Sequence, residues 1–451
     1  MDADARTIIL IDVPRRADDA VPMQEILAID EKMATTTRKL EADFSNVEAR
    51  IHRFPRGLRG IGGDGGRYVA PSVVAIGPYH HGAPHLHKME EVKLAAAYYL
   101  CRSSGRSTVE VYERVRSAAP AARACYDADD PSVSGLSDAD FAAMMFLDGC
   151  FLLQYMVDDV TAPVLRNRMT LSTGPSIQKD IFLLENQIPW LVLDALAEFM
   201  SVDVLGFVTG MGDEFLPGND HGSRRITIDK NKYKPPHLLG LLRYTKVGCM
   251  PPSEKNYRGI SSSLSSSAVE LAEIGVAVTP SSKAWFGDMA IHRRHRLFAE
   301  LSLSPLFLSE VTACWLVNMA AQEASTSGAR SSAMEEEEEA SDDFVVSSYL
   351  SVLAMLMDRK EDVHELRRRR VLHGALSNKE ALGFFKGLGQ HLRFGSRYYA
   401  TLEGIDSYKR HKSVRITAYK FVYNNYKFIA AFLSVTGVLI GIFKTLVSLK
   451  R

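Results

Sequence analysis

The sequence contains no Asn-x-Ser/Thr acceptor, no two cysteines in CxxC spacing, and no excess of either sign of charge. Each absence removes a class of function. Lys+Arg and Asp+Glu both number 54, so the chain carries no overall basic footprint for nucleic acid. The basic runs at His292–Arg296 and Arg367–Arg370 lack an aromatic platform or a groove-reading motif, and read as solvated faces. The five cysteines, Cys101, Cys125, Cys150, Cys249 and Cys314, are odd in number and far apart, against a zinc knuckle or a redox dithiol. The apolar run Ile8–Ile11 is too short for the core of a secretory signal. With the cysteine pattern, this points to a reducing compartment.

What is present is material for a large core, with 46% hydrophobic residues against 24% charged. The expected fold class is mainly α. One large helical domain over 23–426, with minor short strands, follows a disordered stretch at 1–22. Helices are read at Met89–Cys101, Val109–Cys125 and Asp138–Asp158, the last opened by the capping pair Ser137 and Asp140. Another is read over "IQKDIFLLENQIPWLVLDALAEF", kinked or interrupted by Pro189. "RYVAPSVVAIGPY" reads as short extended structure and "VELAEIGVAV" as a helix-to-strand unit. Ser377 and Glu380 form a capping box. Loops or linkers are expected near 202–231, 259–267 and 324–343.

"FIAAFLSVTGVLIGIF", Phe428 to Phe443, runs 16 residues without a charge. At ~1.5 Å per residue that is about 24 Å, against roughly 30 Å of hydrocarbon. Snorkelling of Lys444 would carry it on to Leu449. The expectation is a C-terminal transmembrane helix, Phe428–Leu449, with the lipid bilayer as its partner. Lys409, Arg410, Lys412, Arg415, Lys420 and Lys427 precede it, so the positive-inside rule places the domain in the cytosol as a single-pass, tail-anchored protein. The alternative is a soluble scaffold whose last helix docks into its own core.

"GPYHHGAPHLH" brings His80, His81, His85 and His87 within eight residues. Gly77, Pro78, Gly82 and Pro84 interrupt the segment, so these histidines belong to a loop, and no partner motif completes a metal set. Neither a metal nor another cofactor is expected. "GIGGDG" at Gly60–Gly65 satisfies GxGxxG but lacks the strand before and the helix after, and reads as a turn. Asp148 falls on the apolar stripe of its helix, and Glu185, Asn186 and Gln187 break an apolar run. Buried polar groups need partners. The two clusters are read as a structural network that fixes helix register. The competing reading is an acid–base set, His80 or His81 with Asp148 or Glu185, in an uncharacterised hydrolase or transferase. No GxSxG elbow or catalytic cysteine signature accompanies it, so no catalytic residue and no small-molecule substrate are expected.

"IHRFPRGLR", "YVAPSVVAIGPYHHGAPHLHKMEEVKLAAAYYL", "FAAMMFLDGCFLLQYM" and "DIFLLENQIPWLVLDAL" follow one another in the order of a known plant family. From about Ile26 to Leu449 the chain resembles the family catalogued as "domain of unknown function 247". Phe54 and Ala75 stand where the family pattern has Val and Ser. On this resemblance the signature positions are Gly77, Pro78, Tyr79, His80, His81, Asp148, Gly149, Glu185, Asn186, Gln187 and Pro189. No activity is established for the family as a whole. The resemblance implies a plant protein ending in one hydrophobic segment, and the lack of an assembled catalytic set makes a non-enzymatic, membrane-anchored protein the expectation. Some grass members are candidates for pollen-side determinants of self-incompatibility, which implies recognition of an unidentified protein partner.

Overall fold

The computed structural model describes residues 47–61, 66–157, 173–217, 233–247, 266–294, 298–326, 344–411 and 428–442, with shorter stretches in 28–41 and at 425 and 444. Contacts divide the chain into Met1–Val47 and Glu48–Arg451. In the first unit a helix over 31–38 keeps its side chains exposed, and the Thr35 hydroxyl donates back to the Glu31 carbonyl.

The second unit is mainly helical, as the periodicity predicts. Helices α1 (Lys88–Ser104) and α2 (Thr108–Arg123) pack against α3 (Asp138–Met156). The Ser137 hydroxyl accepts from Asp140 N–H, so α3 starts where its capping pair says it should. Then come α4 (Gly174–Asp180), α5 (Trp190–Ala197), α6 (Val204–Phe215) and α7 (Leu238–Val247). The 202–231 segment, read as a loop, therefore contains a helix, and residues 218–232 lie outside the described residues. The 259–267 and 324–343 segments also fall mostly outside them.

Helix α8 (Ala268–Glu273) leads through Gly275, in the left-handed region at φ +85°, into β1 (Val276–Pro280). That is the helix-to-strand unit the sequence announces. Strands β2 (Ala290–Arg293) and β3 (Ala299–Leu303) complete a sheet of order β1-β3-β2, with β1 parallel and β2 antiparallel to β3. Strand β4 (Leu306–Leu308) pairs in parallel with β5 (Leu372–Gly374). Between them lie α9 (Glu310–Thr326), α10 (Val345–Leu356) and α11 (Lys360–Arg368). Helix α12 (Asn378–Gly389), opened by the Ser377–Glu380 capping box, and α13 (Ser396–His411) follow. One contiguous apolar cluster joins these elements, with Trp315, Phe182, Phe215 and Phe286 among its largest members.

Two expectations are corrected, the first only in extent. The interruption expected at Pro189 is present, but it takes in 181–189, so the segment forms two helices, α4 and α5. Asn186 and Gln187 side chains take up the carbonyls of Asp180, Ile181 and Leu183, so the chain can leave the helix without orphaning them. The second correction concerns the C-terminal transmembrane helix. Among the described residues, no helix is long and apolar enough to cross a membrane. The helix described over 428–442 spans about 22 Å at ~1.5 Å per residue, well under the hydrocarbon thickness. Of the extension toward Leu449 that the span required, 443 and 445–449 lie outside the described residues. Nor is this helix buried as a core element, since Phe428 is 80% and Ile442 52% exposed.

Candidate functional site

The segment Ser72–Gly77 is irregular and belongs to no sheet. Side chains replace the neighbouring strand. Asp180, at the end of α4 and fully buried, accepts from the backbone N–H groups of Ser72, Val73 and Val74 at 2.7–3.1 Å. Asn186 accepts from Ile76 N–H at 2.7 Å and donates to Val74 O at 3.0 Å. Asp148 on α3 accepts from Gly77 N–H at 2.8 Å. Buried backbone donors must find acceptors, and here three polar side chains supply them.

Gly77 marks the tightest point. Its φ is +74°, and a Cβ there would lie 2.4 Å from the Gln187 carbonyl oxygen. Pro78 then opens a 3-10 turn, Pro78–His80, whose missing N–H costs nothing at that position. Tyr79 packs edge-on against Tyr126 and donates its hydroxyl to Ile51 O at 2.9 Å. The Tyr126 hydroxyl donates to Gln187 O at 2.9 Å. Gln187 accepts from Leu239 N–H at 3.1 Å, tying α7 to the same knot. Gly149 lets α3 approach α5, because a Cβ there would meet Leu196 Cδ1 at 2.5 Å. Pro189 is the N-cap residue of α5.

The carboxylates expected to pair divide into two centres. Asp148 meets Lys93 Nζ at 2.6 Å, both side chains 1% exposed, and Lys93 also donates to Glu90 at 2.7 Å. Burial acts to lower the Lys93 pKa, yet Asp148 and Glu90 carry it above the ordinary lysine value. With Lys93 facing Oδ1 and Gly77 N–H facing Oδ2, the ionised pair fits the contacts. Glu185 forms the other centre. Its Oε1 accepts from Phe54 N–H at 2.8 Å and from Arg59 at 3.1 Å, and its Oε2 from Arg53 at 2.8 Å. His80 Nε2 stands 3.4 Å from Oε2, without forming a hydrogen bond. Burial would raise Glu185, but His80, Phe54 N–H and Arg53 overcome it and bring its pKa down to about 2. Arg53 is also bidentate to Asp130, at 2.8 and 2.9 Å, and lies 4.0 Å over the Tyr79 ring.

His80 therefore joins Glu185 and not Asp148, while His81 is exposed. His85 reaches the Pro71 carbonyl at 3.3 Å. Among the described residues, no three His, Cys, Asp or Glu side chains come together as a metal set. The residues that sequence reasoning missed are Arg53, Arg59, Lys93 and Asp180. Lys93 carried a signal: it sits among Met89, Ala96, Ala97 and Leu100 on the apolar stripe of α1, as Asp148 does on α3. The arrangement binds backbone and neutralises buried charge, and its carboxylates serve as acceptors.

The curated proteins similar to this chain are plant proteins. The UPF0481 protein At3g47200 of Arabidopsis thaliana is 28% identical over 199 residues, 41% of this chain and 39% of that protein. The putative UPF0481 protein At3g02645 of the same plant is 29% identical over 187 residues, 39% of this chain and 34% of that protein. The chain thus spans less than two fifths of the length of the curated relatives it matches. No solved structure matches. A family model described as a plant protein of unknown function covers residues 51–440, a range that holds every signature residue built above, and the chain belongs to that family, DUF247.

Proposed function

We propose that the chain acts by protein–protein recognition, and that its signature residues build the scaffold behind the recognising surface. The observation that carries this reading is the direction of the signature's polar side chains. Asp148, Glu185, Asn186 and Gln187 all turn inward onto backbone groups or cations. A carboxyl with a pKa of about 2 is a feeble proton acceptor at neutral pH, so Glu185 suits a structural role better than general-base work. On the outside, α1 and α2 leave Leu94, Tyr98 and Val109 more than half exposed. Tyrosine offers a partner both an apolar ring and a polar tip. The partner is a protein seated on this face.

The acid–base alternative has one observation in its favour, His80 Nε2 at 3.4 Å from Glu185 Oε2, beside the half-exposed Arg59. Proximity labelling in plant tissue separates the two readings. The double variant L94E/Y98E should keep its thermal transition and lose neighbours labelled by the wild type, while H80A that still folds should keep them. Failure of folded H80A to complement a loss-of-function line, with all neighbours retained, would sink the recognition reading in favour of catalysis.

A further inference from the structure

A cleft of about 320 Å³ opens between α10, α12 and α13, far in sequence from the signature. Its size falls within the ~300–1,000 Å³ of small-ligand sites. The walls mix polar groups with apolar and aromatic side chains. Met357 and Phe385 are buried at its side, and Phe394 stacks on Tyr398 with ring centroids 4.3 Å apart. Within this lining Ser351 is 3% exposed, and its hydroxyl oxygen has no hydrogen-bond partner. That is an anomaly for a helical serine, whose hydroxyl can normally bond back to the preceding turn. A buried hydroxyl without a partner is costly to keep, so one that lines a cavity points to a group that enters it.

Charge narrows the chemistry. The polar rim holds two carboxylates, Glu270 and Asp358, against one cation, Lys386. Asp358 is already paired, with Lys386 at 3.2 Å and Arg359 at 3.7 Å. Glu270 gives Oε2 to the Ser267 N–H in the capping box of α8, leaving Oε1 for another donor. The carboxylate left free at the rim is therefore that of Glu270, next to aromatic faces that favour a cation.

We infer that this cleft binds a small amine with an apolar body, its ammonium between Glu270 and the Phe394–Tyr398 stack and a polar group of the ligand facing Ser351. The inference is independent of the recognition reading above. Saturation-transfer NMR on the full chain, with phenethylamine, 2-phenylethanol and 3-phenylpropionate as probes, tests it. The amine should bind best and the carboxylate worst. E270Q keeps the capping box, since glutamine serves at that position, and should weaken the amine about two- to fivefold while leaving the alcohol unchanged. S351A should weaken the amine with no loss of thermal stability. Absence of transfer to any probe, equal binding of amine and carboxylate, or E270Q indistinguishable from wild type would each overturn the inference.

Discussion

Around Ser72–Gly77, five backbone N–H groups that no strand accepts are taken up by Asp180, Asn186 and Asp148. Beside α10, the Ser351 hydroxyl, buried in the wall of the cleft, is taken up by nothing in the chain. Both regions lie in the same apolar cluster, so burial alone does not separate them. What separates them is saturation. A polar knot whose groups, His80 Nε2 excepted, serve one another rigidifies the chain and has little left to offer a ligand. A cavity lined by an unmatched hydroxyl and by the Glu270 carboxylate has both space and capacity left over. The C-terminal half shows that it can also build saturated clamps. Glu323 accepts from Val346 N–H, Ser347 N–H and the Ser347 hydroxyl, and pairs with Arg243 at 2.9 Å.

The largest effects should come from breaking the saturated region. K93M leaves the Asp148 carboxylate buried without its cation and should cost about 3–5 kcal/mol in urea unfolding. K93M/D148N removes both charges while keeping an acceptor for Gly77 N–H, and should recover more than half of that loss. A double variant no more stable than K93M would show that the pair is not the source of the effect. G77A should follow, at roughly 2–4 kcal/mol, because it combines a left-handed backbone with a contact on the Gln187 carbonyl.

Much of the scaffold was legible in the sequence, for a local reason. Capping pairs such as Ser137–Asp140 and Ser377–Glu380 act within one turn, and their structures follow their spelling. The polar interruptions were legible too, since a carboxylate on an apolar stripe demands a partner. The partners' identities were not. Asp148 finds Lys93 across 55 positions and Glu185 finds Arg53 across 132, and no local pattern encodes such distances. The length of the break between α4 and α5 was missed for a related reason. The side chains that permit it, Asn186 and Gln187, look like interruptions of a helix until their carbonyl partners are known. The C-terminal segment failed on length, a quantity the sequence stated openly.

Acid unfolding sharpens the comparison at the rim of the saturated region. Glu185 has its pKa lowered from 4.5 to about 2 in the folded protein. A depressed folded value means that the unfolded state binds protons first as pH falls. The stability Glu185 contributes is therefore complete above about pH 4.5 and disappears as pH drops toward 2. E185Q should cost about 1–3 kcal/mol at neutral pH through the lost charged hydrogen bonds. Its stability curve should converge with that of wild type between those two pH values. Parallel curves across that window would mean that the carboxylate is not held as described.

The smallest effect makes the sharpest comparison, because it uses two serines one turn apart on α10. The Ser348 hydroxyl accepts from Gly395 N–H at 3.1 Å, at the entry to α13. The Ser351 hydroxyl accepts and donates nothing. Both residues are buried, both lose the same atom on change to alanine, and both sit in the same helix. S348A strands a buried N–H and should destabilise by about 1 kcal/mol or more. S351A removes an unmatched polar atom and should be neutral or stabilising by up to about 1 kcal/mol. Opposite signs from a matched pair of substitutions would locate the unsaturated side of the molecule by thermal unfolding alone. Equal losses would mean that Ser351 has a partner within the chain, and the cleft would then be ordinary packing.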